Sequence, residues 1–234
     1  MPSVGDSVRM AVVAAVQADG SARATLSVSP TALPEIWMKG EEARDRFRSL
    51  VPGLLRFDPE SAVVGLCSTL PGEGTSTVTA GLACALAEAR LKVAVIDAQY
   101  ARPGQTADLW GGLPSGLAAP AITSGESPLG AIDIIGCSRV ADGAAPGRLR
   151  RLITEARLGA RVVLVDLEPL KESSQVLGLA GCLHAIYLVV EAERERREVI
   201  ARAVQGLTRA GLQVAGMLLN KRPRPIPDFL YHRL

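Results

Sequence analysis

The feature that most constrains the fold is a set of six short apolar runs separated by segments with helical periodicity. The runs occupy residues 62–67, 92–97, 131–136, 161–166, 184–190 and 213–219. Each run is apolar almost throughout, which is typical of strands buried on both faces of a sheet. Helical patterns lie between them, at 77–90, 146–158 and 191–210. This alternation predicts an α/β fold: a doubly wound, mostly parallel sheet with helices on both faces.

The chain divides into a lead-in, one α/β domain and a tail. Its 234 residues, 48% of them hydrophobic, are enough for the core of one large domain. Residues 1–34 show no clear period and predict a loosely ordered N-terminal segment. We assign residues 35–222 to the domain, which opens with a predicted helix that ends near Pro52. Prolines at 223, 225 and 227 exclude regular structure from a C-terminal tail over 223–234.

Composition excludes several classes of function. A net charge of +2 gives no bulk attraction to nucleic acid or to an anionic membrane. The four cysteines stand singly in apolar runs, as small core residues do in a reducing compartment. No stretch approaches the roughly 20 apolar residues of a membrane span, and residues 10–16 match a signal peptide only weakly. We therefore expect a cytoplasmic protein with no nucleic-acid partner and no membrane span of its own.

A glycine-rich turn follows the first apolar run and opens a helix. Against the phosphate-loop pattern GxxxxGK[ST], Gly74 takes the second glycine and Ser76 the terminal hydroxyl. Backbone N–H groups of such a loop bind phosphate oxygens, and the helix dipole assists them. Thr69 stands where the first glycine is expected and Thr75 where the lysine is expected, so the charge that bridges the β- and γ-phosphates is absent. The predicted nucleotide-binding residues are Gly72, Glu73, Gly74, Thr75, Ser76, Thr77 and Asn220.

Polar residues at the ends of other strands support this interpretation. Asp97 and Asp166 each end an apolar run, where a carboxylate beside a phosphate loop can hold Mg²⁺ together with the Ser76 hydroxyl. Asn220 ends the last run, and its amide can pair with a base edge. The predicted cofactor is ATP or ADP with Mg²⁺, bound weakly or not at all. No catalytic residue is assigned.

Two other interpretations of the loop stay open. The first is a glycine turn between strand and helix that binds no ligand. The second is a dinucleotide fingerprint, with Gly72 and Gly74 followed by acidic Asp97, which would indicate a nicotinamide-dependent oxidoreductase. Against it, Thr77 replaces the third glycine, and four residues separate the strand from the first one.

Residues 71–103, PGEGTSTVTAGLACALAEARLKVAVIDAQYARP, resemble the signature of bacterial tyrosine autokinases of polysaccharide export. Further similar segments are residues 116–136, 145–153 and 216–222, so that the resemblance covers roughly residues 40–234. It implies a role in exopolysaccharide, capsule or holdfast-type polysaccharide synthesis and export. It also implies an inner-membrane polysaccharide copolymerase as partner, which would recruit the protein to the membrane, and the possibility of a homo-oligomer. The family shares its class with ATPases that position division sites and partition chromosomes.

The sequence departs from the family at functional positions. The loop lysine is Thr75, and the second aspartate of the family's DxD run is Gln99. The nearest match to the family's ExxRxxR oligomerisation motif is Asp45, Arg48 and Val51. Tyr231 is the only tyrosine in the tail, where the family carries a cluster of phosphate acceptors.

These departures predict a catalytically impaired pseudokinase that acts as a regulator or scaffold of the pathway. The alternatives are an active ATPase or tyrosine autokinase, in which Lys92, Lys221 or Arg102 replaces the lysine, and a spatial-positioning ATPase.

Overall fold

The computed structural model describes residues 11–16, 22–27, 34–99, 121–127, 129–136 and 145–221. The strands are β1 Ala11–Val16, β2 Ala22–Ser27, β3 Ala62–Ser68, β4 Val93–Ala98, β5 Ala121–Ser127, β6 Gly130–Gly136, β7 Val162–Leu167, β8 Ala185–Glu191 and β9 Val214–Asn220. The α-helices are α1 Glu35–Met38, α2 Glu41–Arg48, α3 Val51–Leu55, α4 Thr75–Glu88, α5 Ala145–Arg157 and α6 Arg197–Arg209. A 3-10 helix spans Gln175–Leu179.

The nine strands form one sheet in the order β1-β2-β5-β6-β4-β7-β3-β8-β9. The six strands from β6 to β9 in this order are all parallel. They are the six apolar runs of the sequence, and the predicted parallel sheet is confirmed. Beyond them β5 pairs antiparallel with β6, β2 pairs parallel with β5, and β1 pairs antiparallel with β2.

Helices cover both faces of the parallel strands. On one face α5, α6 and the 3-10 helix pack on the sheet through Leu149, Ile153, Leu179 and Leu207. On the other face lie α1, α3 and α4, with Trp37 and Leu54 among the buried residues. Every residue of β3, β4 and β7 is buried. The doubly wound architecture predicted from the apolar runs is therefore confirmed.

Some elements differ from the sequence prediction. No strand was predicted at β1, β2 or β5. Residues 35–57 form three short helices instead of one, and Pro52 lies in the first turn of α3, where its missing N–H costs no hydrogen bond. The last helix begins at Arg197 and not at 191, because residues 192–196 form a turn with Glu193 at φ +63°. The predicted tail, 223–234, lies outside the described residues.

Helix α2 is fastened to α4 by an arginine–glutamate pair. Arg48 donates to both carboxylate oxygens of Glu88, at 2.6 and 2.9 Å, and also to Asp45 at 2.7 Å and to Glu41. The hydrogen bond from Arg48 lowers the pKa of Glu88. Arg48, which the sequence comparison aligned with the family's oligomerisation motif, is thus engaged within its own chain. Among the described residues, no helix combines the length and the apolar character that crossing a membrane requires.

Candidate phosphate site

The carboxyl ends of β4, β7 and β3 lie side by side at one edge of the sheet. Asp97 on β4 is directly opposite Asp166 on β7, and Asp166 is opposite Leu66 on β3. Both carboxylates are buried, with 1% and 0% of the residue exposed. The glycine loop leaves β3 at this same edge. The sheet therefore brings together the two predicted magnesium ligands and the predicted phosphate loop.

Two glycines set the path of the loop into α4. Gly72 has φ +81° and Gly74, the N-cap of α4, has φ +93°. These are left-handed conformations that residues with a Cβ adopt only at a cost. A Cβ on Gly74 would also lie 2.2 Å from Nδ2 of Asn220. Glycine is required at position 74 for both reasons.

A buried carboxylate holds the loop from inside. Glu73 is fully buried, and its Oε2 accepts hydrogen bonds from the Thr69 hydroxyl (2.9 Å) and from the N–H of Leu70 (2.8 Å). Its Oε1 accepts from the N–H of Glu191, the last residue of β8 (3.1 Å). Glu73 thus ties the loop to the end of the neighbouring strand. The Thr69 hydroxyl also lies 2.8 Å from Oε2 of Glu195.

Side chains from the ends of β8 and β9 hold the loop from outside. Nδ2 of Asn220 donates to the carbonyl of Glu73 at 2.8 Å. Nζ of Lys221 donates to the carbonyl of Gly72 at 2.5 Å, and Arg194 donates to the carbonyl of Pro71 at 3.0 Å. The loop is therefore braced at three successive carbonyl groups by residues far away in sequence.

The N–H groups of the loop fit a phosphate. No side chain caps α4. Within the described part of the chain, none of the N–H groups from Gly72 to Thr77 donates to another backbone group. Helix N-terminal donors without intrahelical acceptors are natural ligands for anionic oxygens. Thr75, in the lysine position, is the first residue of α4 and is 6% exposed, while Ser76 and Thr77 are half-buried.

The substitution at position 99 changes the chemistry of the carboxylate pair. Nε2 of Gln99 donates to Asp166 at 3.1 Å and to the carbonyl of Leu167 at 2.9 Å, and its N–H donates to Asp97 at 3.0 Å. An aspartate at position 99 would place a third carboxylate beside Asp97 and Asp166 and would remove the amide that donates to Asp166. Asp97, Asp166 and the Ser76 hydroxyl offer the hard oxygen ligands that Mg²⁺ takes. The described residues contain no group of three or more His, Cys, Asp or Glu side chains placed to bind a metal.

The structure separates the three candidate replacement cations. Lys92 precedes β4 at the opposite end of the sheet, where its carbonyl accepts from Arg161 and its Nζ lies close to Gly159. The Lys221 side chain contacts the loop, because its Nζ donates to the carbonyl of Gly72. Arg102 is outside the described residues. The residues that sequence reasoning missed are Glu191, Arg194 and Glu195, which the sequence presents as part of an ordinary charged helix.

Comparison with known proteins agrees with this geometry. No family model matches the chain. It is 28% identical over 177 residues to the succinoglycan biosynthesis transport protein ExoP of Rhizobium meliloti (strain 1021), a match that covers 69% of the chain and 22% of ExoP. The chain thus corresponds to about a fifth of the length of this curated relative.

Solved structures share the fold. The kinase domain of the Escherichia coli tyrosine kinase ETK superposes with a TM-score of 0.67 at 20% identity, over 86% of this chain and 84% of that domain. The VpsO kinase domain gives 0.58 at 23% identity, over 77% and 96%. The septum site-determining protein MinD of Pyrococcus horikoshii OT3, solved with Mg-ADP, gives 0.56 at 19% identity, over 74% and 76%.

Fold and loop together define a phosphate-loop α/β protein. Within that class the chain is similar to a succinoglycan transport protein and shares the fold of bacterial tyrosine kinase domains, so the resemblance predicted from its sequence is confirmed.

Proposed function

We propose that the protein is a nucleotide-binding regulator or scaffold of polysaccharide synthesis and export that does not turn ATP over. The observation that carries the proposal is a glycine loop braced at three successive carbonyl groups at the start of α4, with a buried threonine in the place of the lysine. Backbone donors hold phosphate whatever the side chain at position 75 is. The missing cation acts mainly on charge that develops in the transition state, so its loss lowers the rate more than the affinity.

The bound ligand is ATP or ADP with Mg²⁺. The loop N–H groups from Gly72 to Thr77 would take the phosphates, and Ser76, Asp97 and Asp166 would hold the metal directly or through water. Bound Mg²⁺ would neutralise phosphate charge. The amide of Gln99 competes with the metal for Asp166. Weak Mg²⁺ binding is therefore part of the proposal.

The biological setting follows from the similarity to a succinoglycan transport protein. The protein would work in the cytoplasm beside an inner-membrane polysaccharide copolymerase, in an exopolysaccharide, capsule or holdfast pathway. Deleting the gene should change the amount or chain length of a surface polysaccharide, and the protein should co-purify with the copolymerase. Unchanged polymer in a clean deletion would count against this role.

One observation favours a second candidate, a working ATPase or tyrosine autokinase. The Lys221 ammonium lies 2.5 Å from a loop carbonyl. If it moved onto the γ-phosphate during reaction, it would provide the charge that Thr75 lacks.

The test compares wild type with Thr75→Lys in nucleotide binding, ATP hydrolysis and tyrosine phosphorylation. We expect no turnover by the wild type. Thr75→Lys should raise nucleotide affinity about ten-fold, the value of one charge-assisted hydrogen bond, and should restore little phosphorylation because Gln99 remains. Thr77→Lys puts the same charge about half a helical turn from position 75 and should raise nucleotide affinity less than Thr75→Lys does. Mg²⁺-dependent hydrolysis by the wild type that Asp97→Ala abolishes would establish the second candidate.

A further inference from the structure

Two cationic side chains lie on the outer rim of the phosphate loop. Among the described residues, the cations that contact loop atoms are Lys221, at the carbonyl of Gly72, and Arg194, at the carbonyl of Pro71. Lys221 directly follows β9, and Arg194 lies in the turn after β8. Their side chains are 46% and 39% exposed, so neither is buried as a structural ion.

The rim cations are close to the phosphate donors. Oxygen and nitrogen of one peptide group are about 2.3 Å apart. The Lys221 ammonium therefore lies within about 5 Å of the amide nitrogen of Glu73. The backbone of Lys221 has φ +52°, an uncommon conformation that directs its side chain over the loop. Because the C=O and N–H of a trans peptide point in opposite directions, an anionic oxygen held by the Glu73 amide would lie roughly 6–7 Å from this charge, inside the screening length at physiological salt.

Carboxylates surround the same loop. Glu191 contacts both rim cations, at 2.9 Å from Arg194 and 3.3 Å from Lys221. The hydrogen bond from Arg194 lowers the pKa of Glu191, which keeps it charged. Glu73 and Glu195 add two further acidic groups at Thr69. With threonine in the lysine position, this environment would repel a phosphate unless the two rim cations offset it.

We propose that Lys221 and Arg194 provide the positive charge for nucleotide binding that Thr75 cannot, with Glu191 as the counter-ion that the phosphates displace. This inference rests on the proposed nucleotide-binding function and names the residues that make it work. Both cations approach from the carbonyl side of the loop. They therefore stabilise the bound nucleotide and do not stabilise the transition state for transfer of its γ-phosphate. Lys221 and Arg194 are thus binding residues.

The experiment is equilibrium titration of the full chain with a fluorescent ADP analogue and Mg²⁺. Lys221→Gln and Arg194→Gln should each weaken binding about five-fold, as the loss of one exposed charge interaction predicts. The salt dependence of binding should fall in both variants. Lys92→Gln, at the far end of the sheet, is the matched control and should bind like wild type.

Glu191→Gln separates the electrostatic role from a structural one. If Glu191 only braces the loop, its loss should weaken binding. If it is the counter-ion, its loss frees both cations and should tighten binding several-fold. In the Thr75→Lys background, the penalty of Lys221→Gln should shrink because the loop then carries its own charge. Urea unfolding of each variant checks that the fold is retained.

The outcomes distinguish the two proposals. Wild-type binding that Lys221→Gln and Arg194→Gln leave unchanged would overturn this inference and leave the nucleotide-binding function standing. Weaker binding in Glu191→Gln would also overturn it. Absence of wild-type binding, with binding restored by Thr75→Lys, would reject both the rim cations as a replacement and nucleotide binding by the natural protein.

Discussion

Gly74→Ala tests whether the loop is held as tightly as its contacts indicate. The left-handed conformation at φ +93° costs a residue with a Cβ about 1–2 kcal/mol. The new methyl group would lie 2.2 Å from Nδ2 of Asn220, so the amide must leave the carbonyl of Glu73. Losing that hydrogen bond costs about 1 kcal/mol more. We expect the free energy of unfolding to fall by roughly 2–3 kcal/mol.

Gly181 offers a matched control. It has φ +80°, close to that of Gly74, but a Cβ there would meet no described atom within 4 Å. Gly181→Ala should therefore cost only the backbone part, about 1–2 kcal/mol. In an Asn220→Ala background, Gly74→Ala should cost no more than Gly181→Ala does, because the clash is gone.

The assay is urea unfolding of Gly74→Ala, Gly181→Ala, Asn220→Ala and the Gly74→Ala/Asn220→Ala double variant. The free energies of unfolding are comparable if the slope of free energy against urea concentration is the same in all four. Two results would refute the reasoning. One is an equal cost for Gly74→Ala and Gly181→Ala. The other is the same cost for Gly74→Ala with and without the Asn220 amide, because the brace from β9 would then contribute nothing to the loop.

Three further predictions concern other sites. Gln99→Asp exchanges a buried donor to Asp166 for a third carboxylate beside Asp97 and Asp166; it should lower stability by about 3 kcal/mol in EDTA, and thermal melts with and without Mg²⁺ should show partial recovery by the metal. Glu88 has a lowered pKa beside Arg48, so its contribution, about 1 kcal/mol or less, is present above the unfolded-state pKa and lost as pH falls through the folded-state pKa. Urea unfolding should accordingly show the stability gap between wild type and Glu88→Gln begin to close as pH falls below the unfolded-state pKa of about 4.3, and a gap that stays constant under acid would contradict the pair. Burial raises the pKa of Cys67 to about 12, so iodoacetamide should label it at pH 8 only after unfolding, as peptide mass spectrometry can show.

The parallel sheet could be predicted because burial on both faces leaves a strong sequence pattern. The run 62–67 has no polar side chain, and the run 161–166 is apolar between Arg161 and Asp166; these runs form β3 and β7. Strand ends then placed Asp97 and Asp166 at one edge, as the register shows. Strand β5, AITSGES, gave no such signal because Gly and, to a lesser degree, Glu and Ala have low strand propensity.

The brace around the loop could not be predicted. Arg194 meets Pro71 across 123 sequence positions, and Lys221 meets Gly72 across 149. Charges in the pattern ERERRE are typical of a solvated helix face. Only the fold shows that the first of them belong to a turn above the phosphate loop.

The distance in sequence between the loop and its brace determines when the site can form during synthesis. Glu73 leaves the ribosome 147 residues before Asn220, the residue whose amide closes the loop from β9. At about 5–20 residues per second, the growing chain carries an unbraced loop for roughly 7–30 seconds. A nascent chain can therefore pair β3, β4 and β7 early and still be unable to hold phosphate. The loop therefore acquires its brace late in translation, when the last strand of the sheet is in place.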